Sequence, residues 1–191
     1  MTCPMASGKG NPAVAARMLS ISATNAGIPF TVRIAPVDES YFAGEDPVDY
    51  VRRVAEWKAS AAPAGPAEIV LGADTTVVAD GAILGKPDDA ADAQRMLERL
   101  SGRRHEVLTG ICLKRGADTV VDHAVTAVWF APLTTAEIAA YVATGEPTDK
   151  AGAYAIQGIA SRYIDRVDGC YFNVVGLPVS LVYRHYAKLM R

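Results

Sequence analysis

The chain has 191 residues, of which 50% are apolar, and a formal net charge of −2 at pH 7. This length fits one domain that can bury a sizeable core, and the balanced charge argues against broad binding of nucleic acid. Three widely spaced cysteines favour a reducing compartment, and no stretch reaches the ~18 apolar residues that a membrane helix needs. The first residues lack the pattern of a signal peptide, so we expect a cytoplasmic protein with no membrane association.

Cap and turn residues mark the predicted elements in the N-terminal half of the chain. An N-cap followed by proline opens a helix at Asn11-Pro12 and another at Asp46-Pro47. Asp80-Gly81 is a strong signal for a two-residue hairpin turn between β-branched segments. The pattern predicts helices over about 11–24 and 47–59, and strands over 30–36, 69–71, 75–79 and 82–84.

The C-terminal half continues the alternation of strand-like and helix-like segments. A helix is predicted over Asp88–Leu100, with strands over His105–Leu113 and Val120–Phe130. A capping box at Thr134–Glu137 opens a helix that stops before Gly145, and a last helix runs from Pro178 to about Leu189. Because the two kinds of segment alternate, we expect an α/β architecture.

The stretch from Gly72 to Pro87 combines glycines, a carboxylate and a lysine around the predicted hairpin. If Asp80-Gly81 is the turn, counting outward places Thr75 opposite Lys86, with Asp74 beside them. Directly opposite residues have Cβ atoms about 4.5–5.5 Å apart, so a carboxylate and an ammonium would meet at the open end of the hairpin. The pattern alone fits a ligand site and an ordinary cross-strand ion pair equally well.

Lys58 lies on the apolar face of its predicted helix. Val51, Val54, Ala55 and Lys58 fall at positions i, i+3, i+4 and i+7. Taken alone, such a lysine usually extends its ammonium to water. The more specific hypothesis is a cation at the rim of a cleft, directed at an anion.

A third informative stretch runs from Gly145 to Gly158 and contains a charged pair, Asp149-Lys150, followed by small residues and Gln157. An amide carries a donor and an acceptor side by side, which matches the hydrogen-bonding edge of a nucleobase. A plain surface loop remains the alternative.

Taken together and in this order, these stretches resemble the Maf family of nucleotide pyrophosphatases. The resemblance covers about 37–178 and rests on the strings GADTTV, GKP, LSGRRHEVLTG, GEPTDKAGAYAIQG and NVVGLP. It implies one domain over residues 1–191 with two lobes, in which a mixed sheet and flanking helices surround a central cleft, as in inosine triphosphate pyrophosphatases. It also implies hydrolysis of a nucleoside triphosphate to the monophosphate and pyrophosphate.

The resemblance assigns roles by position. Asp74 would be the general base, and Glu39 with Asp74 would hold a divalent metal, Mg²⁺ or Mn²⁺. Lys58 and Lys86 would bind phosphate, and the string DKAGAYAIQG looks like that of the branch acting on dTTP and UTP. The further substrate-binding residues that it implies are Ser7, Arg17, Thr75, Lys150 and Gln157.

The N-terminal motif departs from the family pattern. Ala6-Ser7 is present, but the expected Pro-Arg-Arg is not, and Arg17 is the best substitute, with Lys9 sharing its task. This departure favours one alternative, a weakly active nucleotide-binding regulator of septum formation. A second alternative is a pyrophosphatase for modified purine nucleotides such as 7-methyl-GTP, since related pockets serve them. The resemblance is also compatible with a homodimer.

Overall fold

The computed structural model describes residues 27, 30–33 and 36–191. The helix predicted over 11–24 lies outside these ranges. In the described part of the predicted strand over 30–36, the backbone has no regular secondary structure, so the prediction of a strand is wrong there.

A five-stranded sheet forms the centre of the described chain, with the strand order β2-β1-β3-β4-β5. Within the described ranges every pairing of these strands is antiparallel, which differs from the mixed sheet that the resemblance implies. Two-residue turns join β1 to β2 and β3 to β4, and such a turn can join only antiparallel neighbours. The strands are β1 (Val70–Ala79), β2 (Ala82–Leu84), β3 (Arg104–Arg115), β4 (Asp118–Phe130) and β5 (Ile164–Asp168).

Helices flank the sheet, and most of their predicted caps are present. The Asp46 side chain accepts a hydrogen bond from the Val48 amide, and the capping box between Thr134 and Glu137 is complete. The α/β class is thereby confirmed, although β5 and the short α4 were not predicted. The helices are α1 (Pro47–Ala61), α2 (Ala90–Leu100), α3 (Thr135–Ala143), α4 (Tyr171–Val175) and α5 (Val179–Leu189).

The sheet carries α1 against one face and the main core against the other. At Gly72 and Gly110, an added Cβ would lie 2.2 Å from the Ala55 carbonyl oxygen and 2.1 Å from the Val51 carbonyl oxygen. The absence of a side chain therefore lets the α1 backbone approach the sheet closely. The opposite face packs on α2, α3 and the C-terminal helices. Its buried side chains include Val77, Leu97, Val107, Phe130, Tyr141 and Val182.

Within the described ranges, no helix combines the length and the apolar character needed to cross a membrane.

Candidate active site

Three charged side chains from separate segments meet beside β1, and we call them the carboxylate–lysine triad: Glu39, Lys58 and Asp74. The Lys58 ammonium donates a hydrogen bond of 2.7 Å to Asp74 Oδ1 and lies 3.1 Å from Glu39 Oε1. Lys58 comes from the last turn of α1, Asp74 from the middle of β1 and Glu39 from the loop before α1. The close approach of α1 to the sheet places the ammonium over the buried carboxylate.

Burial differs strongly across the triad and shapes its electrostatics. The side chain of Asp74 is 8% exposed, that of Lys58 is 24% exposed and that of Glu39 is 45% exposed. Burial raises the pKa of Asp74, and the positive charge of Lys58 opposes this rise without cancelling it. For Lys58, burial acts to lower the pKa, but the attraction of Asp74 and Glu39 prevails and raises it. The site therefore holds a buried carboxylate of increased basicity beside a firmly charged lysine.

The loop that carries Glu39 is fixed to α1 by hydrogen bonds. Arg53 binds both carboxylate oxygens of Glu45 at 2.6 and 2.7 Å, and it also donates to the Ser40 carbonyl at 3.0 Å. The Tyr50 hydroxyl donates to the Glu39 carbonyl at 3.1 Å. Sequence reasoning missed Arg53 and Tyr50, because contacts between a loop and a helix follow no fixed spacing.

Lys86 does not pair with Asp74 as the predicted hairpin register implied. The register is confirmed from Ala79↔Ala82 to Val77↔Leu84, but the pairing stops there. The Gly85 carbonyl accepts a hydrogen bond from the Gly152 amide at 3.0 Å, which takes the backbone before Lys86 out of the ladder. Lys86 nevertheless lies close enough for its positive charge to lower the pKa of Asp74. This effect is smaller than those of burial, Lys58 and Glu39.

Thr75 lies on the other face of the sheet from Asp74, since successive side chains of a strand point to opposite faces. Its hydroxyl is within hydrogen-bond distance of Thr109 Oγ1, at 2.9 Å, and donates to the Gly176 carbonyl at 3.3 Å. The structure therefore does not bring the Thr75 side chain into the triad.

The segment with the other proposed substrate residues packs against the end of the β1–β2 hairpin. Gly152 contacts Gly85 through its amide, as described above, and an added Cβ at Gly152 would lie 2.8 Å from Val77 Cγ2. Lys150 pairs with its neighbour Asp149, and Gln157 is exposed. This packing brings the segment next to Lys86. Ser7, Lys9 and Arg17 lie outside the described residues.

Two carboxylates sharing one ammonium could also hold a metal ion. Within the described ranges, no group of three or more histidine, cysteine, aspartate or glutamate side chains forms a complete metal site. Glu39 and Asp74 offer the hard oxygen ligands that Mg²⁺ and Mn²⁺ prefer, and Mg²⁺ is commonly held by one or two carboxylates together with substrate phosphates. The donor set therefore fits a divalent cation that completes its shell with phosphate oxygens and water.

The fold and the triad together define an α/β protein in which a buried carboxylate, a lysine and a more exposed carboxylate share one site. The chain belongs to the Maf family, since the family model described as "Maf-like protein" matches residues 20–189.

Curated relatives cover most of the chain and most of their own length. A protein of Symbiobacterium thermophilum named dTTP/UTP pyrophosphatase is 54% identical over 154 residues, which are 80% of this chain and 79% of the relative. A protein of Koribacter versatilis with the same name is 52% identical over 81% of each chain. The protein of that name from Syntrophomonas wolfei is 48% identical over 85% of this chain and 87% of the relative.

Proposed function

We propose that this protein is a nucleoside triphosphate pyrophosphatase that hydrolyses dTTP and UTP to the monophosphate and pyrophosphate. The observation that carries the proposal is the Lys58 ammonium bound between the buried Asp74 and the more exposed Glu39. Relatives 48–54% identical to this chain carry the name dTTP/UTP pyrophosphatase, which supports the substrate class.

Asp74 acts as the general base. Its raised pKa makes it a better proton acceptor than an ordinary aspartate, whose pKa of about 3.9 lies far from neutrality. Water loses a proton to Asp74 as its oxygen bonds to the α-phosphorus. The bond from that phosphorus to the bridging oxygen breaks, and the oxygen leaves with pyrophosphate.

The cationic residues hold the triphosphate and stabilise the charge on the departing pyrophosphate. When the nucleotide binds, the Lys58 ammonium leaves the carboxylates of Asp74 and Glu39 and binds phosphate oxygens instead. Lys86 binds phosphate from the end of the hairpin. Gln157 contacts the base. The remaining residues proposed to contact the substrate are Ser7, Arg17, Thr75 and Lys150.

Glu39 and Asp74 hold a divalent cation, Mg²⁺ or Mn²⁺, together with the substrate phosphates. When bound, this cation neutralises phosphate charge and so lowers the electrostatic barrier to attack. We also propose that residues 1–191 form one two-lobed domain, and that the protein works in the cytoplasm as a homodimer.

The test is pyrophosphate release from dTTP, UTP, ITP and 7-methyl-GTP with Mg²⁺ or Mn²⁺. Wild type is compared with Asp74→Asn and with Asp122→Asn, a matched control in which a carboxylate bound to His185 at 2.8 Å is lost elsewhere. We expect metal-dependent release led by dTTP and UTP, a loss of about 10²–10⁴-fold in Asp74→Asn, and near-wild-type rates in the control.

Other results assign the protein differently. Preference for ITP or 7-methyl-GTP would indicate the enzyme for modified purines. Binding of nucleotide without release under any metal would favour the regulator. An Asp74→Asn protein with full turnover would remove Asp74 from the base role.

A further inference from the structure

Gln157 lies at the tip of a tight turn, and the backbone of this turn sets where its side chain begins. The Gly158 amide donates to the Ala155 carbonyl at 3.0 Å, so Ile156 and Gln157 are the two central residues of the turn. Ile156 is buried, whereas Gln157 is exposed and makes no hydrogen bond to the described part of the chain. The position from which its side chain extends therefore depends on how firmly the two ends of the turn are held.

One carboxylate holds the C-terminal end of this turn. Glu146 Oε2 accepts a hydrogen bond from the Ile159 amide at 3.0 Å, and Oε1 accepts from the Ala160 amide at 3.5 Å. These amides open a short 3-10 turn over Ile159–Tyr163, where unpaired N–H groups need acceptors. Glu146 thus fixes the backbone immediately after Gln157 and Gly158.

A buried tyrosine holds the N-terminal end of the same turn. The Tyr141 hydroxyl donates to Glu146 Oε1 at 2.8 Å and accepts from the Ala155 amide at 3.3 Å. Tyr141 lies in α3 and is fully buried. Tyr141 and Glu146 therefore hold the backbone by hydrogen bonds on both sides of Gln157 and connect it to helix α3 of the main core.

Close packing at Gly158 completes the arrangement. A Cβ added there would lie 2.3 Å from Glu146 Oε1, so the carboxylate rests directly against the backbone of the turn. There is no room for a side chain between the Glu146 carboxylate and the backbone at Gly158.

We propose that Tyr141 and Glu146 are positioning residues that orient Gln157 and thereby set the preference among nucleobases. This inference rests on the proposed function, because it assigns a source of selectivity to the same site. Neither residue touches the substrate; both act through the backbone of the turn.

Two substitutions isolate the effect. In Glu146→Gln one oxygen becomes an NH₂ group, which cannot accept from an amide, so at least one of the backbone contacts is lost with little change in shape. Tyr141→Phe removes the hydroxyl and leaves the Ala155 amide without its acceptor. The matched control is Glu137→Gln, which neutralises the capping-box carboxylate at the start of the same helix α3 and leaves an oxygen that can still accept there.

The experiment measures kcat/KM for dTTP, UTP, ITP and GTP in wild type, Gln157→Ala, Glu146→Gln, Tyr141→Phe, Glu137→Gln and the double variant Glu146→Gln/Gln157→Ala. A hydrogen bond of about 1–2 kcal/mol to the base corresponds to roughly 5–30-fold discrimination. We expect Glu146→Gln and Tyr141→Phe to lose most of that preference. The double variant should be no less selective than Gln157→Ala, and Glu137→Gln should keep the wild-type ratios.

Hydrogen exchange provides a readout that does not depend on turnover. The amides of Ala155, Ile159 and Ala160 should exchange roughly 5–10-fold faster in Glu146→Gln and at the wild-type rate in Glu137→Gln. Unchanged exchange at these amides, or a wild-type base preference retained by Glu146→Gln, would overturn the positioning inference alone. A wild type that releases no pyrophosphate from any nucleotide would instead overturn the proposed function, and with it the claim on base preference.

Discussion

At Asp74, two effects act on one buried carboxylate. Burial favours the neutral acid and raises the pKa, while the Lys58 ammonium 2.7 Å away favours the ionised form. Burial has the larger effect on the pKa of Asp74. This carboxyl is therefore mostly ionised only at pH values above a pKa that is higher than that of an ordinary aspartate.

The pH dependence of turnover follows from this balance. Because the base must be ionised, kcat/KM should fall as the pH is lowered through the raised pKa of Asp74. Lys58→Met removes the attraction that holds this pKa down, so the acid limb of the residual activity should move to higher pH. Pyrophosphate release measured against pH checks the shift, with Lys188→Met, an exposed lysine in α5, as the control. A limb that stays in place, or moves to lower pH, would contradict the assignment.

Two of the triad residues could be selected from sequence patterns, but the contacts between the triad side chains could not be predicted. Lys58 stood out because it shares the apolar face of its helix, and Asp74 because the predicted hairpin places it beside Lys86 at an end flanked by glycines. Their contact depends on how α1 docks across the sheet, which no local pattern encodes. Glu39 was assigned only through the family resemblance, and Tyr141 and Glu146 were not recognised as site residues, because hydrogen bonds to backbone amides leave no spacing signature.

At the scale of elements, α1 is both the main cover of one sheet face and the carrier of Lys58. Its distance from β1 and β3 is set by Gly72 and Gly110, whose missing side chains make room for the helix backbone. Any group that pushes α1 outward also separates Lys58 from Asp74.

Gly72→Ala should therefore lower the free energy of unfolding by about 1–3 kcal/mol, because the new methyl group collides with the α1 backbone. Turnover should fall further than stability alone explains, since the triad is pulled apart. Urea unfolding and pyrophosphate release test both parts. Gly85→Ala is the matched control, because an added Cβ there meets nothing within 4 Å; equal losses in the two variants would rule out the packing explanation.

Arg53 links the Glu39 loop to α1 through a guanidinium that is also stacked over aromatic rings. Its central carbon lies 4.0 Å from the centroid of Phe42 and 4.6 Å from that of Trp57. The bidentate contact with Glu45 is mostly buried, with side-chain exposures of 16% and 11%. A lysine cannot reproduce this geometry.

Arg53→Lys should lower the free energy of unfolding by about 1.5–3 kcal/mol and raise the metal concentration needed for half-maximal turnover, because the Glu39 loop loses its anchor. Arg95→Lys alters an exposed ion pair on α2 and should change stability by less than about 0.5 kcal/mol. Denaturant unfolding and metal titration of turnover measure these effects. An Arg53→Lys protein with an unchanged metal requirement would show that the loop does not need this anchor.

At the scale of the whole molecule, the main core buries a histidine, His105, which is 1% exposed. Its Nε2 lies 2.8 Å from the Tyr154 hydroxyl, and its ring packs edge-on against Phe130. Burial, with a smaller contribution from Arg104, lowers the pKa of His105 to about 4. The folded protein thus keeps this ring neutral where the unfolded chain would protonate it.

Stability should therefore depend on pH in a defined window. The unfolded chain binds a proton near pH 6.5 and the folded protein only near 4, so the contribution of His105 is complete above about 6.5 and is lost as the pH falls towards 4. The loss amounts to about 3 kcal/mol by linkage. His105→Gln should flatten the curve of unfolding free energy against pH in this window. Parallel curves for His105→Gln and wild type would contradict the shifted pKa.

Most helices and strands could be predicted from the sequence, but the way in which they pack and pair was less predictable. Alternating segments indicated α/β, and the hairpin turn and four of the five described α-helices were found near their true positions. Short connections account for the antiparallel pairing of β1 with β2 and of β3 with β4, but not for that of β1 with β3 or of β4 with β5. β5 escaped prediction because its charged and exposed residues hide the strand pattern, and α4 because it has only five residues.

The long pairing of β3 with β4 bears on the order in which the chain folds. Twelve residue pairs join two strands that are neighbours in sequence, so little loop-closure entropy opposes this hairpin. We expect it to form early in the folding transition state, with α1 docking on the sheet later. Lys58 and Asp74 belong to α1 and β1, so the charged site would be assembled only in a late step, and a partly folded chain would have no activity towards nucleotides.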